Sequence, residues 1–356
     1  MSFSENAILT KSRAIYSRRL TPQNYRELLS CESVEAAASY LENKTPYSSA
    51  FSNVVSAKMN RMMLESLLRR NLSNQFLSLC NFARILGNEL YRYLVIKTDI
   101  TEILSCIRYL ETPNKYDYLI NMPVFLDKMT TIDMYSLAKA EKFSEIVEAL
   151  DGTPYYKILS AFANDKNSFD MIKIESALNR YLFNEISDIS QKKLKGKEKK
   201  EFEEFFKMMA DIKLLSGIYR LKTYFKMSRE KIEEYSLETG VTALSRKQLD
   251  ELKNSETKED FLKAVEKTVY GKKLDKNNFV NIEDWLSEYI YKEASHKAVY
   301  STHPNVVMFC CIFLAENELQ NITHIVEGIK YNIEPDELQK RLIGCGNLKE
   351  GDKPWQ

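Results

Sequence analysis

Residues 32–47 read ESVEAAASYLENKTPY, an amphipathic helical pattern that ends in a Thr-Pro-Tyr turn. Thr-Pro-Tyr returns at residues 153–155 and Thr-Val-Tyr stands at 268–270, at intervals of 108 and 115 residues. A short helical pattern precedes each copy, and its apolar positions correspond if one extra residue is allowed in the first copy. These positions are Ala37 and Leu41, Ile146 and Leu150, and Phe261 and Val265. The chain is therefore predicted to repeat one helical unit three times.

Further landmarks recur in the same order along the chain. Glutamates near the start of a later helical pattern are 110 and 108 residues apart: Glu65, Glu175 and Glu283. Acidic residues in a fourth pattern are 112 and 107 apart: Asp99, Asp211 and Glu318. LTPQNYREL from Leu20 reappears as LSRKQLDEL from Leu244, with a helix-capping Thr or Ser at the same offset. The alternative to an internal repeat is that these landmarks recur only because helical proteins share capped amphipathic helices in general.

Composition and periodicity predict an all-α fold. The 356 residues include only 10 Gly and 8 Pro, and no proline lies between Pro154 and Pro304. Apolar residues recur at three- and four-residue spacing, and alternating strand patterns are nearly absent. Repeats of about 110 residues are too long for common solenoid units. We therefore predict three helical bundles with approximate threefold symmetry, at residues 1–115, 116–235 and 236–356.

Several classes of function are disfavoured by the sequence. With 51 basic and 50 acidic residues, the chain has no global field to concentrate nucleic acid. The three histidines form no zinc pattern, the six cysteines form no C-x-x-C pair, and the glycine-rich nucleotide and nucleophile motifs are absent. We therefore predict no catalytic residue, no cofactor and no metal, and buried thiols in a reducing compartment.

The sequence also predicts a cytosolic protein. Its N-terminal stretch lacks the continuous apolar core of a secretory signal. The strongest apolar run, from Val306 to Ala315, is too short to cross a bilayer as a helix, so it is interpreted as a buried core helix.

Three segments resemble one known family. ESVEAAASYLENKTPY at residues 32–47, DGTPYYKIL at 151–159 and FLAENELQNITHIVEGIKYNI at 313–333 are similar to the C subunit of V- and A-type ATPases, called the d subunit in eukaryotes. The last segment is the most distinctive. The resemblance implies three helical domains arranged as a funnel between the membrane rotor ring and the central stalk. It also implies a non-catalytic component, one per complex, in proton or sodium transport or ATP synthesis.

The resemblance further implies partners and a location. The partners would be the D and F type subunits of the central stalk and the proteolipid ring, with membrane contact only through that ring. The protein would then be cytoplasmic and peripheral to the membrane. A soluble helical scaffold or adaptor unrelated to ATPases is the alternative function, and only the general helical pattern favours it.

Candidate site residues follow from the repeats and from local charge. We expect Asp99, Asp211 and Glu318, at equivalent places in the copies, to line a central cavity or a partner interface. Alternatively they are charges near helix N-termini, favoured by the helix dipole. The basic run from Lys192 to Lys200 is either a solvated turn or a contact for anionic lipid headgroups or an acidic stalk face. The same alternatives apply to a second basic cluster, formed by Arg13, Arg18 and Arg19.

Overall fold

The computed structural model describes residues 3–52, 59–111, 129–163, 169–271 and 282–345. Within these ranges the secondary structure is helical and contains no β-strand, which confirms the all-α prediction. The chain forms two compact units. The terminal unit combines both chain ends, Met1–Leu86 and Ser287–Gln356, and the central unit is Gly87–Leu286.

The terminal unit is built around one long apolar helix. Its first four helices are α1 (Phe3–Tyr16), α2 (Pro22–Leu29), α3 (Val34–Lys44) and α4 (Arg61–Ile85), with a 3-10 helix at Pro46–Phe51. The C-terminal part of the chain supplies the end of α14 (Ile282–Tyr300), α15 (Pro304–Lys330) and α16 (Pro335–Gln339). α1 packs against α15 and α4, and α15 also packs against α2, α3, α4 and α16.

Helix α15 explains why the two ends of the chain fold together. Pro304 occupies its first position, where a missing N–H costs nothing. Residues Val306–Ile312 are all buried, so this stretch has no polar face and must be surrounded by other helices. The prediction of a buried core helix is confirmed. In the ranges that the structure covers, no helix is both long and apolar enough to span a membrane.

The central unit is a set of long helices bordered by short capped ones. In chain order they are α5 (Arg92–Leu110), α6 (Met134–Lys139), α7 (Phe143–Ala149), α8 (Pro154–Ser160), α9 (Met171–Lys193), α10 (Gly196–Thr223), α11 (Arg229–Tyr235), α12 (Arg246–Asn254) and α13 (Lys258–Glu266), preceded by a 3-10 helix at Glu89–Tyr91. α5 packs against α6, α7 and α9, and α9 also packs against α8, α10 and α11. Within this core Phe206 stacks on Phe202, with ring centroids 5.5 Å apart, and packs at a tilt against Phe183, with ring centroids 5.2 Å apart.

The structure divides the chain differently from the sequence repeats. The predicted boundaries, after residues 115 and 235, both fall inside the central unit, and this division stays a prediction. The cysteines are all free thiols, and five are buried, whereas Cys31 is only partly covered. The thiols therefore contribute packing rather than cross-links.

Candidate functional site

The three predicted acidic residues lie in the interiors of long helices. Asp99 is in α5, Asp211 in α10 and Glu318 in α15, each at least seven residues after its helix begins. The helix dipole acts only within the first turn. The alternative explanation, that these are charges near helix N-termini, is therefore wrong.

Asp99 is completely buried, with 0% of its surface exposed. Its Oδ2 accepts hydrogen bonds from the Tyr155 hydroxyl at 2.9 Å and from the Thr131 hydroxyl at 2.6 Å. Its Oδ1 accepts from the Thr131 backbone N–H at 3.0 Å and from the Thr130 hydroxyl. Four donors on one carboxylate are what a buried negative charge needs to remain stable.

Asp211 repeats this arrangement in the second half of the central unit. It too exposes 0% of its surface. Its carboxylate accepts from the Tyr270 hydroxyl at 2.6 Å, the Ala243 N–H at 2.8 Å and the Thr242 hydroxyl. Burial raises the pKa of Asp211, and these donors act in the opposite direction.

Glu318 forms the third copy, in the terminal unit, with fewer donors. Its Oε1 accepts from the Tyr47 hydroxyl at 2.8 Å and its Oε2 from the Leu20 N–H at 2.7 Å. Arg18 stands where the aligned segment has Thr242, so the threonine hydroxyl is missing here. Burial raises the pKa of Glu318 to about 7, against the opposing effect of its two donors and of Arg19.

We call each of these clusters a carboxylate–tyrosine anchor, defined by the acid and the tyrosine that bonds to it. In each, a long helix carries the acid, a backbone N–H just before a capped helix donates to it, and a Thr-x-Tyr turn supplies the tyrosine. Thr21, Asp133 and Ser245 cap the three helices, α2, α6 and α12. The anchors therefore tie two short helices to each long one.

The threonine of each turn is bound in the same way. The hydroxyls of Thr45, Thr153 and Thr268 donate at 2.6 Å to the carbonyls of Leu41, Leu150 and Val265. These three carbonyls belong to the apolar positions that correspond in the sequence, and all three residues are 0% exposed. The sequence correspondence thus marks equal local structures.

Each anchor joins two neighbouring sequence repeats. Asp99 binds the tyrosine of the second Thr-x-Tyr turn, 56 residues later, and Asp211 that of the third, 59 residues later. Glu318 binds Tyr47, in the first turn. This third contact connects the C-terminal part of the chain to its N-terminal part.

These positions modify the hypothesis for the three acids. Asp99 and Asp211 expose no surface, so their carboxylates do not line an open cavity within this chain. Glu318 does line a cavity, of about 50 Å³, together with Arg18, Tyr47 and Tyr291. That volume suits one or two water molecules. A role of the three acids at a partner interface stays a prediction.

The two basic segments differ in exposure and in hydrogen bonding. At Lys192–Lys200, only Leu194 and Lys195 separate α9 from α10, and Lys193 pairs with Glu89 at 2.5 Å. Most lysines of this hairpin are exposed. Arg13, in contrast, donates three hydrogen bonds to the backbone carbonyls of Ala298, Val299 and Ser301 and has a structural role.

No group of His, Cys, Asp or Glu side chains within the described residues could hold a metal ion. The tyrosines of the anchors are the functional candidates that sequence reasoning missed. A signal was present for two of them, because Tyr155 follows Asp99 by 56 residues and Tyr270 follows Asp211 by 59.

Comparison with known proteins identifies a family and several relatives that this chain is similar to. A family model described as ATP synthase (C/AC39) subunit matches residues 8–341. A protein of Methanococcoides burtonii, named as the C subunit of an A-type ATP synthase, is 25% identical over 287 residues, which covers 79% of this chain and 78% of the relative. Proteins of the same name are 22% identical in Methanosarcina mazei (94% and 91% covered) and 24% identical in Methanocaldococcus jannaschii (89% and 80% covered).

Proposed function

The chain belongs to the ATP synthase (C/AC39) subunit family, and we propose that it is a non-catalytic rotor component, which couples the central stalk of a V/A-type rotary ATPase to the membrane proteolipid ring. The relatives that it matches over most of their length are named as the C subunit of A-type ATP synthases. The complex would use this coupling for ATP-driven proton or sodium transport or for ATP synthesis. Nucleotide would bind to other subunits, because this sequence lacks a phosphate-binding glycine loop.

The observation that carries the proposal is the threefold recurrence of the carboxylate–tyrosine anchor. A proteolipid ring is broad and symmetric, whereas a stalk is narrow, so an adaptor between them needs a wide base and a socket. Three equivalent helical bundles around a cavity, arranged as a funnel, would supply both. The recurrence at Asp99, Asp211 and Glu318 supports three such bundles.

The anchors also suit a part that transmits torque. A short helix that rested only on apolar contacts could slide, because the hydrophobic effect is not directional. Charged hydrogen bonds of defined geometry oppose such sliding. The anchors at Asp99 and Asp211 fix their short helices to the long helix at a buried point, so a load on one helix is transmitted to the other.

The proposal includes partners and location. D and F type stalk subunits would occupy the socket and the proteolipid ring would lie under the base, with one copy of this chain per complex. The protein would be cytoplasmic and reach the membrane only through the ring. Joints of this kind are expected to combine polar contacts with a modest apolar patch.

Deletion of the gene tests the proposal. Without the coupling protein, ATP hydrolysis should move from the membrane fraction to the soluble fraction, and ATP-dependent ion uptake by membrane vesicles should stop. A plasmid copy of the wild-type gene should restore both. Ion uptake that persists in the deletion strain, with hydrolysis still bound to the membrane, would contradict the proposal.

A further inference from the structure

A basic cleft of about 640 Å³ lies in the central unit, and none of the anchor residues lines it. It is formed by the end of α10, the turn that follows, the end of α12 and the start of α13. Its volume is within the range of small-molecule sites. Tyr219 and Phe261, both buried, pack with ring centroids 5.5 Å apart among its lining residues.

The charges that line this cleft are mostly positive. Five cations take part: Lys222, Lys226, Arg229, Lys253 and Lys258. Among the lining residues that the structure describes, Glu256 is the single acid. The cleft therefore favours an anion.

Two of the five cations are already paired with acids. Lys253 is buried and bonds to Glu238, and Arg229 lies 3.9 Å from Asp250. Lys226 and Lys258 are exposed and have no carboxylate partner in the described ranges. An anion in the cleft would meet these two ammonium groups first.

Lys222 adds a third, partly covered charge. Its Nζ donates to the Ser255 carbonyl at 2.5 Å. Burial lowers the pKa of Lys222, against the opposing effect of Glu256. A bound anion would stabilise this ammonium group.

Lys226 lies at a backbone position that favours glycine. Lys226 has φ +48°, the left-handed conformation that glycine adopts most easily, in the turn that ends α10. The turn is closed by a hydrogen bond from the Met227 N–H to the Leu221 carbonyl at 3.0 Å. The turn after α15 is similar, but its left-handed residue is Asn332, which tolerates this backbone better. A lysine at this position has a backbone conformation that glycine would adopt at a lower cost.

The N-terminus of α13 faces the same cleft. Thr257 and Lys258, which begin this nine-residue helix, are both lining residues. Backbone N–H groups at a helix start favour anions, and lysine binds phosphate as a compact point charge.

We propose that this cleft binds a phosphate-bearing anion through Lys222, Lys226, Lys258 and the start of α13. The anion is a free phosphate compound or the phosphate monoester headgroup of a lipid. This site goes beyond the coupling role and does not depend on it. It can be measured on the isolated full-length chain.

Two binding assays on the full-length chain test the proposal. Inorganic phosphate is titrated by calorimetry in a phosphate-free chloride buffer. Vesicles of phosphatidylcholine, with and without phosphatidic acid, are used for co-flotation. Lys226→Gly should weaken binding about tenfold, since one charge-assisted hydrogen bond is lost. It should also raise the melting temperature, because glycine suits the left-handed backbone.

Matched variants decide the outcome. Lys258→Gln should weaken binding as Lys226→Gly does, whereas Lys157→Gln removes an exposed charge outside the cleft and should change nothing. Competition of phosphate with phosphatidic acid vesicles would assign the site to a lipid headgroup, and phosphate binding without vesicle binding would assign it to a free compound. No binding to either probe would overturn the proposal. So would equal binding by Lys226→Gly, Lys258→Gln and the wild type.

Discussion

Replacing Tyr155 with phenylalanine is the sharpest test of the anchors. The substitution removes the hydroxyl that donates to Asp99 at 2.9 Å and leaves the aromatic ring, which packs edge-on against Tyr181. Burial and the nearby carboxylate raise the pKa of Tyr155, so its hydroxyl stays protonated and is the donor. Both partners are buried, and water cannot easily replace the lost bond.

The expected loss follows from the geometry. A hydrogen bond to a charged group contributes about 1.5–3 kcal/mol. Asp99 keeps three other donors, from Thr130 and Thr131, so its carboxylate stays hydrogen-bonded in the variant. We expect Tyr155→Phe to lower the free energy of unfolding by about 2 kcal/mol.

Urea unfolding followed by circular dichroism measures this difference. The adjacent Tyr156 is the matched control, because its side chain is 40% exposed and makes no hydrogen bond within the described residues. Tyr156→Phe should change stability by less than about 0.5 kcal/mol. If the two variants are equally stable, the anchor does not hold the short helices to α5.

Three further substitutions test the terminal unit. Burial raises the pKa of Glu318 from 4.5 to about 7, so between these pH values the folded chain holds a proton that the unfolded chain loses, and the free energy of unfolding should fall as pH rises. In urea unfolding at a series of pH values, Glu318→Gln should remove about 2 kcal/mol of this fall. Parallel curves of stability against pH for the variant and the wild type would refute this linkage. Gly344→Ala would place Cβ 2.1 Å from the Tyr291 ring at φ +76°, and should lower the free energy of unfolding in urea by more than about 2 kcal/mol. The control is Gly87→Ala, at φ +72° with open space around it, which should lower it by about 1 kcal/mol. Arg13→Lys loses the fork that binds three carbonyls at the end of α14 and should cost about 2 kcal/mol by the same assay; no change would contradict that capping role.

Much of the fold was predictable because it follows from periodicity and capping. The Leu20 and Leu244 segments were matched by a capping Thr or Ser, and both helices do begin with a capping box. The apolar run from Val306 to Ala315 predicted a buried helix because it is too short to cross a bilayer. The two-unit division was not predictable, since it depends on which faces pack together rather than on local pattern.

The candidate site was only half predictable. The spacing of Asp99, Asp211 and Glu318 identified equivalent positions, but spacing does not tell which way a side chain points. Helical periodicity treats an acid among apolar residues as a local exception, whereas its tyrosine partner lies 56 or 59 residues away. Long-range pairing of this kind requires a structure.

The replacement of threonine by arginine near Glu318 was visible in the sequence. Its consequence, a carboxylate with two donors instead of three or four, became clear only with the contacts. Burial raises the pKa of Glu318 to about 7, so the protonation of the terminal anchor responds to pH near neutrality.

We propose that this chain couples a stalk to a proteolipid ring. Affinity purification of the tagged chain from native membranes in mild detergent, followed by mass spectrometry, tests it most directly. We expect D and F type stalk subunits and a proteolipid to co-purify, with the chain and each stalk protein at equal molar amounts. Recovery of the chain alone, from the soluble fraction, would contradict it.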